Sequence, residues 1–325
     1  MMIDKTRVKR ILVITLSNVG DIILTMPSIG ALAREFPEAR MDVMVGPAGR
    51  ELFSADPRIF KLIIYDKHLP ITEKRRLQQK LKRLHYDLVA DFRNTLFGLL
   101  IGPRFRTATV QRFPKKIMHS MDRHLYRLKS LGMKDLERKS YIYIPEKDEE
   151  YAAGLLKECA IGDSYVVVNP GAKSHLKRWT AEGFAAVCDR LIRECGASIV
   201  FIGLKEDREV IESVIKKMKE RSHNLAERTN IRQLAGLLKR AKLLVTNDSA
   251  PLHLGCAVGV KVLALFGPTD PMKYGPIGEF DAVMNEKLSC APCESAVCKH
   301  NYECMKLILP DTVFDMAKMM LEGYE

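Results

Sequence analysis

The sequence predicts an α/β chain of two doubly wound domains, each a parallel sheet with helices on both faces. Three observations carry that expectation. Short, uniformly apolar, β-branched runs alternate with longer stretches of helical periodicity, and strands buried on both faces of a parallel sheet lose the alternation of half-exposed ones. The series of runs starts twice, once near the N-terminus and again past residue 160. The length of 325 residues suits two domains of ordinary size.

In chain order, Arg10 to Thr15, Met41 to Val45, Leu62 to Tyr65 and Leu88 to Ala90 read as strands of the first domain. Ser28 to Phe36 and Glu73 to Leu84 have helical spacing, and the helix after the first strand reads as interrupted by Pro27, because proline lacks the N–H a helix needs. A charged segment, Glu146 to Glu158, separates the halves, which places the domains at 1–157 and 158–325. The second series has strands at Tyr165 to Asn169, Ser198 to Ile202, Leu243 to Thr246 and Val262 to Phe266. Its helices are Thr180 to Glu194, Glu206 to Arg221, Ile231 to Lys239 and a small-residue helix, Leu254 to Val258. A last helix, Asp311 to Leu321, follows a cysteine-rich loop and could pack on either domain.

Composition narrows the function classes. With 47% hydrophobic and 28% charged residues the chain is neither disordered nor low in complexity. No apolar run is long enough to span a bilayer, and Ile11 to Leu16 is too short for a signal-peptide core, so a cytoplasmic location is expected. In a reducing compartment the eight cysteines read as free thiols or metal ligands. The 52 Lys+Arg exceed the 40 Asp+Glu by 12, and the excess is one-sided. Residues 1–150 hold 29 basic against 18 acidic groups, whereas 151–325 hold 23 against 22. Within 67–140 the balance is 19 to 6, including Lys74, Arg75, Arg76, Lys80 and Lys82. Read as a solvated helix face it needs no partner; over seventy residues it makes a field that steers anionic ligands or an anionic membrane surface. A basic nucleic-acid-binding protein is the remaining reading of the charge. Against it stand the 7% aromatic content and the lack of a stacking motif in the basic region.

Ligands of open parallel sheets bind beyond the carboxyl ends of the strands, so the loops there carry the information. The first strand is followed by Ser17, Asn18, Gly20 and Asp21, where Asp21 is either a helix N-cap or a general base at a cleft. This loop lacks the G-x-G-x-x-G spacing of a dinucleotide site. Pro170 to Thr180 places Gly171, Lys173, His175, Lys177 and Arg178 before a helix capped by Thr180, the makings of a phosphate site, with Trp179 as a core anchor. Asn247 to His253 offers Asp248 and Ser249 at a turn of small residues, with Asp248 readable as a cap and His253 as an ordinary helix residue. Phe266 to Pro271 closes the same edge.

These loops, in this order, resemble glycosyltransferase family 9, the ADP-heptose:lipopolysaccharide heptosyltransferases. The matching residues are Gly20, Asp21 and Pro27, then Asn169 to Ala172 with Lys177 to Trp179, then Asn247 to His253 and Phe266 to Pro271. The resemblance implies a GT-B fold, two Rossmann-like domains facing a cleft, with an acceptor domain first and a nucleotide-sugar domain second. It also implies an inverting, metal-independent transfer that requires no cofactor, ADP-heptose being the donor substrate. By resemblance, Asp21 is the base and Lys177 meets the charge on ADP as it leaves. Ser17, Asn18, Gly171, Thr229, Asp248, Ser249, Ala250 and His253 fall on the donor site. The implied acceptor is the lipid A–Kdo inner core of lipopolysaccharide, an anionic lipid-linked saccharide met at the cytoplasmic face of the inner membrane, with no nucleic-acid partner. A transferase using another nucleotide sugar is the alternative. Some members have Thr-Gly where this chain has Ser249-Ala250, and a ribose-holding glutamate where this chain offers Lys205 or Glu206.

The resemblance assigns no catalytic role to Cys290, Cys293, Cys298 and Cys304. Their C-x2-C-x4-C-x5-C spacing is compatible with a tetrahedral zinc site, yet differs from the paired C-x2-C knuckles of structural zinc, and reduced thiols are the other reading.

Overall fold

The structure, a computed structural model, describes residues 3–134 and 136–323. The chain divides into two compact units, Met1–Tyr143 and Ile144–Glu325.

The first unit runs β1 (Arg10–Ile14), α1 (Val19–Glu35), β2 (Arg40–Val45), α2 (Arg50–Phe53), β3 (Lys61–Ile64), α3 (Ile71–Lys82), β4 (Leu88–Asp91), α4 (Phe97–Leu100), β5 (Phe105–Arg106) and α5 (Ser120–Leu128). Its sheet is wholly parallel in the order β3-β2-β1-β4-β5. The central strand β1 is buried from Ile11 to Ile14, as the uniform apolar run requires. Pro27 does not interrupt the first helix. It sits inside a seventeen-residue α1, whose residues Ile22 to Leu32 are all buried. Packing on every side offsets the one backbone bond that proline removes.

The second unit runs α6 (Glu146–Glu158), β6 (Tyr165–Asn169), α7 (Ala181–Cys195), β7 (Ser198–Phe201), α8 (Arg208–Lys217), β8 (His223–Asn224), α9 (Ile231–Arg240), β9 (Leu243–Asn247), α10 (Ala250–Val258), β10 (Val262–Phe266), α11 (Pro271–Tyr274), β11 (Ala282–Asn285), α12 (Glu303–Lys306) and α13 (Pro310–Glu322). The six strands are parallel in the order β11-β10-β9-β6-β7-β8. One core cluster joins the inner faces of β6, β7, β9 and β10 to α7, α8 and α13. The terminal helix therefore belongs to the second unit.

The division of the chain also differs from the expected 157/158. The charged segment before β6 is the helix α6, and Asp148, Glu149 and Glu158 in it are partnered. Arg232 of α9 lies 2.6 Å from buried Asp148, Lys239 lies 2.8 Å from Glu149, and the Tyr151 hydroxyl donates to the Arg228 carbonyl at 2.7 Å. Gly236 of α9 faces Ala152 and the backbone of Asp148 and Glu149, so the two helices are in contact along this face. The charged segment that separates the two series of strands is one side of a helix pair within the second unit. Helix α8 is shorter than its pattern because Asp189 accepts the N–H groups of Lys219 and Glu220 and turns the chain away.

Candidate active site

In each sheet the strand order reverses at one place, and there the loops leaving two adjacent strands diverge to open a crevice. In the second unit this point lies between β6 and β9. The loop after β6 is Pro170 to Trp179, and the loop after β9 is Asp248 and Ser249 leading into α10. Amide side chains join them. Asn169 Nδ2 lies 2.9 Å from Ser249 Oγ and 3.1 Å from Thr246 Oγ1, while Asn247 donates to the Pro170 carbonyl at 2.8 Å and accepts the Trp179 N–H at 3.1 Å. Trp179 is the expected core anchor, 3% exposed, and its indole N–H reaches the Ile308 carbonyl.

Asp248 gathers three loops. Its Oδ2 lies 2.6 Å from Lys177 Nζ and accepts the Thr269 hydroxyl, from the loop after β10, at 2.6 Å. A carboxylate this buried needs such partners, and the ammonium of Lys177 is thereby fixed at the crevice with donors to spare. Asp248 is not a helix cap. That position belongs to Ser249, whose hydroxyl bonds Asn169 and the Asn247 carbonyl instead of its own helix. The N-terminus of α10 consequently carries no side-chain cap beside the Lys177 ammonium, and its dipole favours an anion there. Ala250 opens the helix, and His253 is buried one turn in.

Gly171 has a specific steric reason. A Cβ on it would come within 2.3 Å of the Asp207 carboxylate, which follows β7 and accepts the Leu204 N–H. Of the three residues 205–207, the half-buried Asp207 is thus the one packed against the β6 loop, whereas Lys205 and Glu206 are exposed. Sequence reasoning passed it over because three polar residues in a row offer no periodicity to choose by. Thr229 lies on the β7–β8 flank, in the loop before Asn230, the cap of α9, and is not among the residues bonded to Asp248.

In the first unit the order reverses between β1 and β4, where Ile14 pairs with Asp91. Asn18, not Asp21, holds the N-cap position of α1, and Asp21 is the third helical residue. The Asn18 amide donates to Asp21 Oδ2 at 3.0 Å and so orients a half-buried carboxylate at the sheet edge. Ser17 lies under Gly46, where a Cβ would stand 3.0 Å from the Ser17 Cα. Across the switch point, buried Asp91 shapes the β4 loop by accepting the N–H groups of Arg93 and Thr95 and the Thr95 hydroxyl at 2.7 to 2.9 Å. Burial nonetheless pushes its carboxyl above the ordinary range. The aspartate four residues before a threonine, closing a strand, was the available signal for this turn. Behind it, burial, then Arg127 and His119, holds the His124 imidazole down to about 4.

The four loop cysteines line one cavity of about 130 Å³ with Leu176 and Pro268. Cys298 Sγ accepts the N–H groups of His300 and Tyr302 at 3.4 and 3.3 Å. Among the described residues no group of three His, Cys, Asp or Glu is arranged to hold a metal ion. Cys304 is drawn into the core with α12, where a Cβ on Gly267 would lie 3.0 Å from its sulfur, while Cys293 is exposed on the loop. The segment instead props the loop after β10. The Glu294 N–H donates to the Pro268 carbonyl at 2.8 Å, and Lys273 pairs with Glu294 at 2.7 Å.

Residues 74–303 match the model of glycosyltransferase family 9 (heptosyltransferase). The chain belongs to that family. It is similar to lipooligosaccharide heptosyltransferase 2 of Campylobacter jejuni, 28% identical over 319 residues that cover 94% of this chain and 96% of the relative. Among solved structures, a family 9 glycosyltransferase from Veillonella parvula superposes with a TM-score of 0.84 at 26% identity, covering 97% of each chain. The Escherichia coli ADP-heptose lipopolysaccharide heptosyltransferase II superposes with a TM-score of 0.78 at 23% identity, covering 96% of this chain and 98% of that one. The two parallel-sheet units of this family 9 glycosyltransferase are those of the GT-B fold.

Proposed function

We propose that this family 9 glycosyltransferase moves heptose from ADP-heptose to an inner-core hydroxyl of lipopolysaccharide, with inversion at the anomeric carbon. The observation that carries the donor half is the Lys177–Asp248–Thr269 cluster beside the uncapped start of α10. Asp21 takes the proton from the acceptor hydroxyl as its oxygen attacks the anomeric carbon. The bond from that carbon to the diphosphate breaks, and ADP leaves with the bonding pair. Lys177, with the amides near Ser249 and Ala250, meets the charge that develops on the diphosphate, an interaction that strengthens as the bond breaks. Single displacement needs one base, so one carboxylate suffices. Gly171, Thr229 and His253 complete the donor site, Ser17 and Asn18 are assigned to donor binding as well, and Asp207 is added as the acid beside the nucleotide loop.

The acceptor is an anionic lipid-linked saccharide, and the basic stretch 67–140 is the face for it and for the cytoplasmic side of the inner membrane. No helix among the described residues is long and apolar enough to cross a bilayer, so this contact is peripheral in the proposal.

Transfer assays with ADP-heptose and a lipid A–Kdo acceptor test the assignment. Asp21→Ala is expected to abolish turnover while ADP still binds; retained turnover removes Asp21 as the base. ADP, and not UDP or GDP, is expected to protect the protein from thermal unfolding. Equal protection by UDP or GDP would favour another nucleotide sugar.

A further inference from the structure

The first unit carries an apolar patch that its own core does not require. Leu96, Leu99 and Leu100 are 63%, 46% and 53% exposed, within and beside the one-turn helix α4. The patch is not slack. Phe97 and Ile101, interleaved with the leucines, are buried in a core cluster with Leu12, Ile14 and Val89, and Phe97 stacks edge-on against Tyr65 at 5.4 Å. The side that faces outward is therefore fixed by the side that faces in.

Charge surrounds it. The Gln78 amide of α3 donates to the Leu100 carbonyl at 3.0 Å, and Leu81 of α3 shares the core cluster with Phe97. One turn to either side of Gln78 stand the exposed Arg75 and Lys82. After the leucines come exposed Arg104 and Arg106. From Phe92 to Met121 the sequence holds six Lys or Arg and not one acidic residue. Leucines flanked by cations on α3 and on the chain after α4, without exposed aromatics to stack on bases, match a surface whose interior is hydrocarbon and whose rim is phosphate. A second copy of the chain fits poorly, since a two-fold contact here would oppose like charges.

We infer that Leu96, Leu99 and Leu100 enter the hydrocarbon boundary of an anionic phospholipid bilayer while Arg75, Lys82, Arg104 and Arg106 bind its phosphates. This rests on the membrane contact proposed above and adds which residues enter. The electrostatic part is screened by salt and the apolar part is not, so the two can be separated.

The full chain is sedimented with phosphatidylcholine vesicles, with and without phosphatidylglycerol, at low and high salt. Wild type is expected to bind the anionic vesicles and to keep a salt-resistant fraction. The triple variant Leu96→Ser, Leu99→Ser, Leu100→Ser should bind at least tenfold more weakly at high salt, with ADP affinity and melting temperature unchanged. Arg75→Gln with Lys82→Gln should lose the preference for anionic lipid. If wild type binds and the leucine variant binds equally at both salts, insertion is wrong and the membrane reading stands. If wild type binds no vesicle, the membrane reading fails and the inference with it. A concentration-dependent dimer of the wild type that the leucine variant abolishes would reassign the patch to self-association.

Discussion

At the scale of single residues, the site is built from side chains that hold one another before any ligand arrives. Lys177 alone would be a mobile ammonium on a four-carbon stem; Asp248 holds it, and Thr269 holds Asp248. Asp248→Asn removes the charge that fixes the ammonium and is expected to lower kcat about a hundredfold, the size of a lost transition-state donor, with the greater part of ADP affinity retained. Equal losses in affinity and rate would make Asp248 a plain ligand of the donor. His124 gives a residue-scale prediction in stability. Its pKa falls from 6.5 in the unfolded chain to about 4 in the native state, so the unfolded state binds the extra proton between those values. Stability from this group is complete above pH 6.5 and is lost as pH falls toward 4, by about 3 kcal/mol over the window. Urea unfolding of wild type and His124→Phe at pH 7.5 and pH 4.5 checks it, and the variant should show the smaller drop. Most residues of the donor cluster were legible in sequence because loops rich in Gly, Pro, Asn and Asp after apolar runs mark strand ends. Their pairings were not. That Asp248 binds Lys177, 71 positions away, follows from the parallel order of β6 and β9, which no local pattern encodes.

Elements were read well where burial set their pattern and poorly where partners did. β6 and β10 have the expected bounds because each is an apolar run buried from end to end. β5 and β8 are two residues long and exist only through hydrogen bonds to β4 and β7, so no apolar run announces them. α6 went unread since its acids find cations on α9, far along the chain. The caps are local and testable. Thr180 accepts the Gly183 N–H at 3.1 Å and starts α7 directly behind the Lys177 loop. Thr180→Ala is expected to cost about 1 kcal/mol in denaturant unfolding. Gly171→Ala should cost more, because the Asp207 carboxylate occupies the space of its methyl group, and Asp207→Ala should restore much of the stability in the double variant. A purely additive double variant would show that the contact is not the cause.

Over the whole molecule, each unit repeats one plan: a parallel sheet, a reversal of strand order, and candidate residues in the two loops that part there. The charge divides with the units rather than spreading over the chain, since the basic surplus lies before residue 150. Binding of the nucleotide is thus expected to be a property of the second unit. ADP at about 100 times its Kd should stabilise the protein by about 2.7 kcal/mol. Hydrogen exchange should slow in 169–179, 246–253 and 266–271 and stay unchanged in 71–100. Slowing confined to the first unit would reverse the assignment of the two halves. One residue makes such experiments simpler. Trp179 is the sole tryptophan of the chain, two positions from Lys177, with its backbone on Asn247 and its indole on Ile308. Light absorbed at the red edge of the ultraviolet band therefore reports from one known place, so that nucleotide titrations can follow intrinsic emission without a dye or a tag.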